Sequence, residues 1–218
     1  VALTADQQSA SSGLLLKQNG WFAWLVKSVC AIGEQGMIAG SNFLLNVLVA
    51  RWLTPEQYGA YAIAFAVYIL LISLYQALIL EPMSVLSASL DEQHFRSYLG
   101  SLLRVQARIA SILVIFLALV VLGAFAIHGH TYLAWTLLAL LVSLPAILLF
   151  FFLRLACYIR HRPQHATQGA FIYTCVMLLG LVAIRHWFEI SGSIVFLGMG
   201  ASGVVVSCLL LKRLRPNF

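Results

Sequence analysis

One of the chain's seven acidic residues, Glu34, lies inside an apolar run together with Gln35, Ser41, Asn42 and Asn46. Glu34, Ile38, Asn42 and Asn46 follow four-residue steps. Such a row drifts only about 40° per step on a helix, so Glu34, Asn42 and Asn46 share a broad face. A carboxylate and two amides are costly in hydrocarbon and turn toward a bundle interior or a wet cavity. Two uses fit them. The amides can tie helices together, at about 0.6 kcal/mol each, or the face can line a path for a polar substrate.

Other polar groups recur at the edges of apolar runs. Arg51 and Glu56 flank a turn in "RWLTPEQYG", and Gln76 and Glu81 lie in "YQALILEP". Glu81 reads either as a helix-end carboxylate beside an Arg or as a charged gate contact. Arg104 and Arg108 are four apart and face one way. They suit anionic lipid headgroups or, through forked hydrogen bonds, a pyrophosphate. His128-Gly-His130 offers two metal-ligand side chains, one fewer than catalytic zinc usually takes. No metal or cofactor is therefore expected. No GxSxG, Walker A, HExxH or paired-carboxylate pattern is present, so the expectation is a protein that is not an enzyme.

The elements that hold these groups follow from composition. The 218 residues are 62% hydrophobic and 9% charged, with mean hydropathy +0.95. Soluble domains carry about 25% charged residues, so the bilayer must be the solvent for most of this chain. The expected fold is an all-α polytopic membrane protein of six transmembrane helices. The spans are Trp21–Leu53, Tyr58–Leu80, Arg104–Ile127, Tyr132–Tyr158, Thr167–Ile184 and Ser193–Leu211. Residues 1–20 read as a polar, disordered cytoplasmic lead-in, 21–211 as the six-helix lobe and 212–218 as a basic cytoplasmic tail. The start lacks the pattern of a cleavable signal. "WFAWLVKS" reads as an interfacial approach to the first span, and "SLDEQHFRSYLGSLLR" as a short surface helix leading into the third.

Placing both termini inside puts eleven of the thirteen Lys and Arg residues on inner segments, and leaves only Arg51 and Arg185 outside. That asymmetry implies an N-in, C-in topology. Trp52, Trp135 and Trp187 fall at outer turns and Trp21 and Trp24 at the inner edge, as in an aromatic belt. The net charge of +6 is thus a topology signal, and no nucleic-acid partner is expected. Cys30, Cys157, Cys175 and Cys208 are scattered in apolar surroundings and read as buried small hydrophobes. Gly36-x-x-x-Gly40 reads as a helix-packing motif, with a hinge as the alternative. Pro145 is expected to kink the fourth helix.

The stretch "NFLLNVLVARWLTPEQYGAYAIAFAVY" resembles the end of helix one and the start of helix two in oligosaccharide and lipopolysaccharide flippases. These form the polysaccharide transport branch of the multidrug/oligosaccharidyl-lipid/polysaccharide exporter superfamily. Arg51, Leu53, Thr54, Pro55, Glu56, Gln57, Tyr58 and Gly59 carry the likeness, and "LYQALILEPMSVLS" extends it. It covers about residues 33–90; the rest resembles the family in span layout alone. The resemblance implies a carrier that moves undecaprenyl-pyrophosphate-linked oligosaccharide across the bacterial inner membrane by alternating access. Arg51 is the one basic residue carried over as a pyrophosphate contact, with Glu56 as its partner. The family has two six-helix lobes, and this chain looks like the N-terminal one alone. The implied partners are membrane lipid and the lipid-linked oligosaccharide, with a second lobe, a homodimer mate or a larger membrane complex. The alternative is a non-transporting membrane subunit packed within such a complex.

The topology has a direct check. In a cysteine-free background, R51C should react with a membrane-impermeant maleimide added to intact cells, and K212C only after permeabilisation. The reverse pattern would overturn the orientation.

Overall fold

The computed structural model describes Val29 and residues 32–86, 92–128, 131–159 and 163–214, and every regular element among them is helical. Helix α1 spans 32–52. Helix α2 runs Pro55–Tyr75 and passes through a π-helical turn, Gln76–Leu80, into the short α3, Glu81–Leu86. Then come α4 (Glu92–His128), α5 (Tyr132–Ile159), α6 (Pro163–Trp187) and α7 (Gly192–Leu214). The lead-in 1–20, the segment "WFAWLVKS", residues Gly129 and His130, and the tail from Arg215 lie outside the described residues.

Among the described residues, five helical stretches are long and apolar enough to cross a membrane: Pro55–Ser84, Gly100–Ile127, Tyr132–Ile159, Gln164–Trp187 and Gly192–Arg213. The chain is a multi-pass helical membrane protein. The expected first span is the exception to the count of six. Its 21 described residues would reach about 31 Å at 1.5 Å per residue, but Glu34, Gln35, Asn42 and Asn46 dilute its apolar run. The expected surface helix before the third span also differs. It continues without a break into α4, whose 37 residues extend about 55 Å, well beyond a hydrocarbon core of about 30 Å.

The turn between α1 and α2 shows why its sequence is so polar. Thr54 is the N-cap of α2; its Oγ1 accepts from the Gln57 N–H, and the Gln57 side chain accepts from the Thr54 N–H. Pro55 takes the first helical position, where its missing N–H costs nothing, and Glu56 sits in the first turn against the positive helix end. This capping box satisfies donors that hydrocarbon would leave orphaned. Such a cap contributes about 1 kcal/mol.

Helix α5 is the hub. Within its most apolar window 61% is buried, against 50% for α7 and 22–33% for the other three. Leu140, Leu144, Ile147, Leu148, Phe152, Leu153 and Ala156 are fully buried. Water exclusion does not drive helices together inside a bilayer, so close packing must. The closest seam is α5 against α7. A Cβ added to Gly200 would fall 2.6 Å from Ser143 Oγ and 2.9 Å from Ser143 Cα, and one on Gly203 would fall 3.1 Å from the Ala146 carbonyl oxygen. Only glycine lets the backbones approach this far.

Two small polar side chains along the seam satisfy themselves on their own helices, whereas Ser143 Oγ and Ser207 Oγ are buried with no hydrogen-bond partner among the described residues. Thr136 Oγ1 donates to the Tyr132 carbonyl at 2.7 Å, and Ser202 Oγ to the Gly198 carbonyl at 2.8 Å. Aromatic rings fill the wider layers: Phe196 of α7 packs on Tyr61 and Tyr68 of α2, and Phe150 of α5 stacks on Tyr173 of α6 at 4.7 Å. Buried Tyr75 donates its hydroxyl to Gln106 Oε1, joining α2 to α4. Helix α5 continues through Pro145, whose ring faces a groove beside α4.

The small-residue packing expected at Gly36-x-x-x-Gly40 is thus found on α7 instead. Among the described residues, no atom of another helix lies within 4 Å of a Cβ built on Gly36 or Gly40. Swapping in alanine separates the two sites. G200A should lose about 1–3 kcal/mol through overpacking, seen as a lower melting temperature in detergent. G36A should hold or raise it, since alanine favours a helix by about 1 kcal/mol. Equal effects would contradict the assigned seam.

Candidate functional site

The helices alternate in direction, so the starts of α1, α4 and α6 share one end of the bundle with the ends of α2, α5 and α7. This end carries Arg104, Arg108, Arg154, Lys212 and Arg213, whereas Arg51 and Arg185 mark the other. The polar site lies at the basic end, where three elements meet.

The first element is the π-helical turn. Pro82 has no N–H, and its ring crowds the carbonyl four residues back. The helix widens just before it: the Glu81 N–H bonds to the Gln76 carbonyl, five residues back, and the Gln76 N–H is shared between the Ile72 and Ser73 carbonyls. Such an inserted residue re-aims the side chains around it and is common at functional sites. Here Gln76, Leu80, Glu81 and Ser84 line one side of a pocket. Ser84 Oγ donates back to the Glu81 carbonyl at 2.7 Å.

The second and third elements are α1 and α5. Helix α1 presents Glu34, Ser41, Leu45 and Val49 as its buried stripe. Helix α5 brings Arg154 up to Glu34, with Arg154 Nε 2.8 Å from Glu34 Oε1. Glu34 is 0% and Arg154 12% exposed. The Arg154 guanidinium also lies 5.5 Å from the centre of the Phe151 ring. The ion pair is close, yet neither Glu34 oxygen receives an aligned hydrogen bond from a described group. Burying two charges costs several kcal/mol each before their attraction is counted, so an imperfect pair here is expensive to keep.

Arg154 faces two ways. It pairs with Glu34 behind it and lines the pocket in front. The pocket encloses about 350 Å³ among Gln35, Gln76, Glu81, Ser84, Phe151, Arg154 and Tyr158, with Leu80 and Leu155. Its lining offers a guanidinium and two amides as donors, and a carboxylate and two amide oxygens as acceptors. That mixture suits a ligand with both kinds of group, such as sugar hydroxyls, and the Arg fork suits phosphate oxygens.

Among the residues singled out from sequence, Gln76 and Glu81 line the pocket and Glu34 adjoins it through Arg154; the others lie apart. Asn42 and Asn46 are half-buried, and Asn42 lies about 12 Å along α1 from Glu34. Asn46 Nδ2 donates to the Asn42 carbonyl at 2.8 Å, a bond within its own helix. Arg51 and Glu56 are exposed at the far end and no ion pair joins them; their segment serves as the cap of α2. Arg104 and Arg108 are exposed on α4, flanking Gln106, which is buried against Tyr75. Among the described residues no cluster of three His, Cys, Asp or Glu side chains stands at metal-binding distance.

Arg154 is the residue that sequence reading passed over. It counted there only as one of the eleven inner basic residues. The signal was available: "LLFFFLRLACYI" is apolar on both sides of the Arg, and an ionisable residue within a span implies a role and a partner. Compared with known protein families, curated proteins and solved structures, the chain matches none of them.

The pair makes a sharp mutational prediction. R154Q should strand the Glu34 carboxylate and cost about 3–5 kcal/mol. The double variant E34Q/R154Q, with both charges gone, should recover most of the melting temperature. A double variant no better than R154Q would mean that the two side chains are not energetically coupled.

Proposed function

We propose that this chain is one lobe of a bacterial inner-membrane transporter for a lipid-linked oligosaccharide of the undecaprenyl-pyrophosphate type, serving cell-surface polysaccharide synthesis. The observation that carries the reading is the polar pocket beside the π-helical turn, backed by the buried Glu34–Arg154 pair. A purely structural membrane subunit has no use for an expensive ionic pair next to a pocket of mixed donors and acceptors. The resemblance of residues 33–90 to polysaccharide flippases supplies the substrate class.

In this reading the polyprenyl tail stays in hydrocarbon, and the headgroup meets the pocket from the basic, cytoplasmic end. Arg154 contacts a phosphate oxygen, while Gln35, Gln76 and Glu81 hydrogen-bond sugar hydroxyls. A phosphate draws Arg154 away from Glu34 and so weakens the tie between α1 and α5. A loaded lobe would then differ from an empty one in how firmly α1 is held, which is the differential contact alternating access needs. No bond is made or broken in the substrate. Arg51, which the resemblance offers as a pyrophosphate contact with Glu56 as its partner, is exposed at the opposite end, and the cap of α2 accounts for its segment.

The second reading, a non-transporting subunit, is favoured by one observation. The faces around Gly36 and Gly40 of α1 are open, as a surface awaiting a neighbouring helix would be.

Binding and translocation test the proposal together. In nanodiscs, the full chain should retain undecaprenyl-pyrophosphate-linked sugar in preference to undecaprenyl phosphate, and R154K should weaken this by about tenfold through loss of the fork. In proteoliposomes a fluorescent analogue should cross faster than in empty vesicles. Binding without crossing would favour a lobe that needs a second copy or partner. Neither binding nor crossing would leave the subunit reading.

A further inference from the structure

A second polar cluster at the basic end lies outside the site just described. Arg213, in the last turn of α7, reaches the first turns of α6: its Nη1 lies 3.1 Å from His165 Nδ1 and donates to Gln168 Oε1. Arginine has five N–H donors. The contacts on Nη1 hold the guanidinium in place and leave the donors on Nη2 and Nε for something else. Among the described residues no carboxylate stands within ion-pair distance of Arg213. Lys212 is its neighbour in the same exposed turn. A pre-oriented, unneutralised guanidinium is therefore exposed at the end of a membrane bundle.

Directly beside it runs an apolar groove of about 520 Å³, lined by Met37 of α1, by Thr167, Gln168, Phe171 and Ile172 of α6, and by Arg213 itself. Phe171 is 58% exposed, a large ring turned to the surroundings of the bundle. The groove thus combines one cationic end with an apolar body. It lies at the end where basic residues collect, which positive-inside logic assigns to the cytoplasmic leaflet.

We propose that this groove binds an anionic phospholipid of that leaflet. The phosphate sits on Arg213, braced by His165 and Gln168, and one acyl chain lies along Met37, Phe171 and Ile172. Charge complementarity selects the occupant. A zwitterionic lipid brings its own cation to a site that already has Arg213 and Lys212, whereas phosphatidylglycerol brings only the anion. A soluble anion uses the guanidinium but leaves the apolar body uncovered. Because the groove is lined by α1, α6 and α7, a bound lipid would bridge the first helix to the last hairpin.

The test uses the full chain in a nonionic detergent, with thermal shift and native mass spectrometry as readouts. Dioleoyl-phosphatidylglycerol should stabilise the protein and be retained in preference to dioleoyl-phosphatidylcholine. R213Q should cut that preference about fivefold, and R185Q, an exposed control at the opposite end of the bundle, should leave it unchanged. Inorganic phosphate at the same concentration should give no shift. Equal retention of the two lipids, an undiminished preference in R213Q, or a matching shift with free phosphate would each overturn the proposal. A second measurement does not depend on any variant folding. Phosphatidylglycerol with a photoreactive acyl chain should crosslink the wild-type chain at Met37, Phe171 or Ile172, and crosslinks confined to other helices would rule the groove out.

Discussion

The close approach of α5 and α7 is the constraint on which the rest of the bundle depends. In water, apolar side chains would bring helices together by leaving solvent. In hydrocarbon that force is absent, and association rests on contact quality. Gly200 and Gly203 let α7 press against Ser143 and Ala146, so the backbones meet without intervening side chains. Once that seam is made, α5 is central, and α2, α4 and α6 find their places around its remaining faces. The aromatic layers at Phe196 and Phe150 then fill the space that the tight seam leaves beside it.

Central position gives α5 its chemical role. Arg104 and Arg108 are exposed on the more peripheral α4. Arg154 sits on the hub, faces α1 and has Glu34 as its counter-ion. Its cost is offset only in part, because the pair is close but poorly aligned. The same side chain lines the pocket made by the π-helical turn. One residue therefore joins a structural tie to a ligand-facing surface, and a ligand that competes for the guanidinium acts on the tie.

Local chemistry explains two features that function would otherwise claim. The polar motif around Thr54 is a capping box with Pro at the first helical position, sufficient in itself to account for Thr54, Pro55 and Gln57. The bond from Asn46 to the Asn42 carbonyl likewise stays on α1. Both cases show hydrocarbon forcing polar groups to find the nearest partner, which is usually on the same helix or at its end.

Composition and periodicity by themselves determined that the chain is helical and multi-pass, because a 62% apolar sequence with so few charges can satisfy its backbone in hydrocarbon only as helices. They also placed the breaks near Thr54, between Ile127 and Tyr132 and before Ser193 within a few residues, since caps and charges mark the edges of apolar runs. Glu34, Gln76 and Glu81 were legible as polar groups in the wrong solvent. Which of them meet was not. Arg154 lies 120 residues after Glu34, and nothing in the spacing of either says that α5 is the hub or that it packs beside α1. The packing glycines show the same: Gly36-x-x-x-Gly40 and the glycines of α7 look alike as patterns, and only the opposing surface, Ser143 and Ala146, tells a seam from an open face. A helix announces its own polarity in sequence, but its neighbours are chosen by shape complementarity between segments far apart in the chain, and that is decided only when the bundle closes.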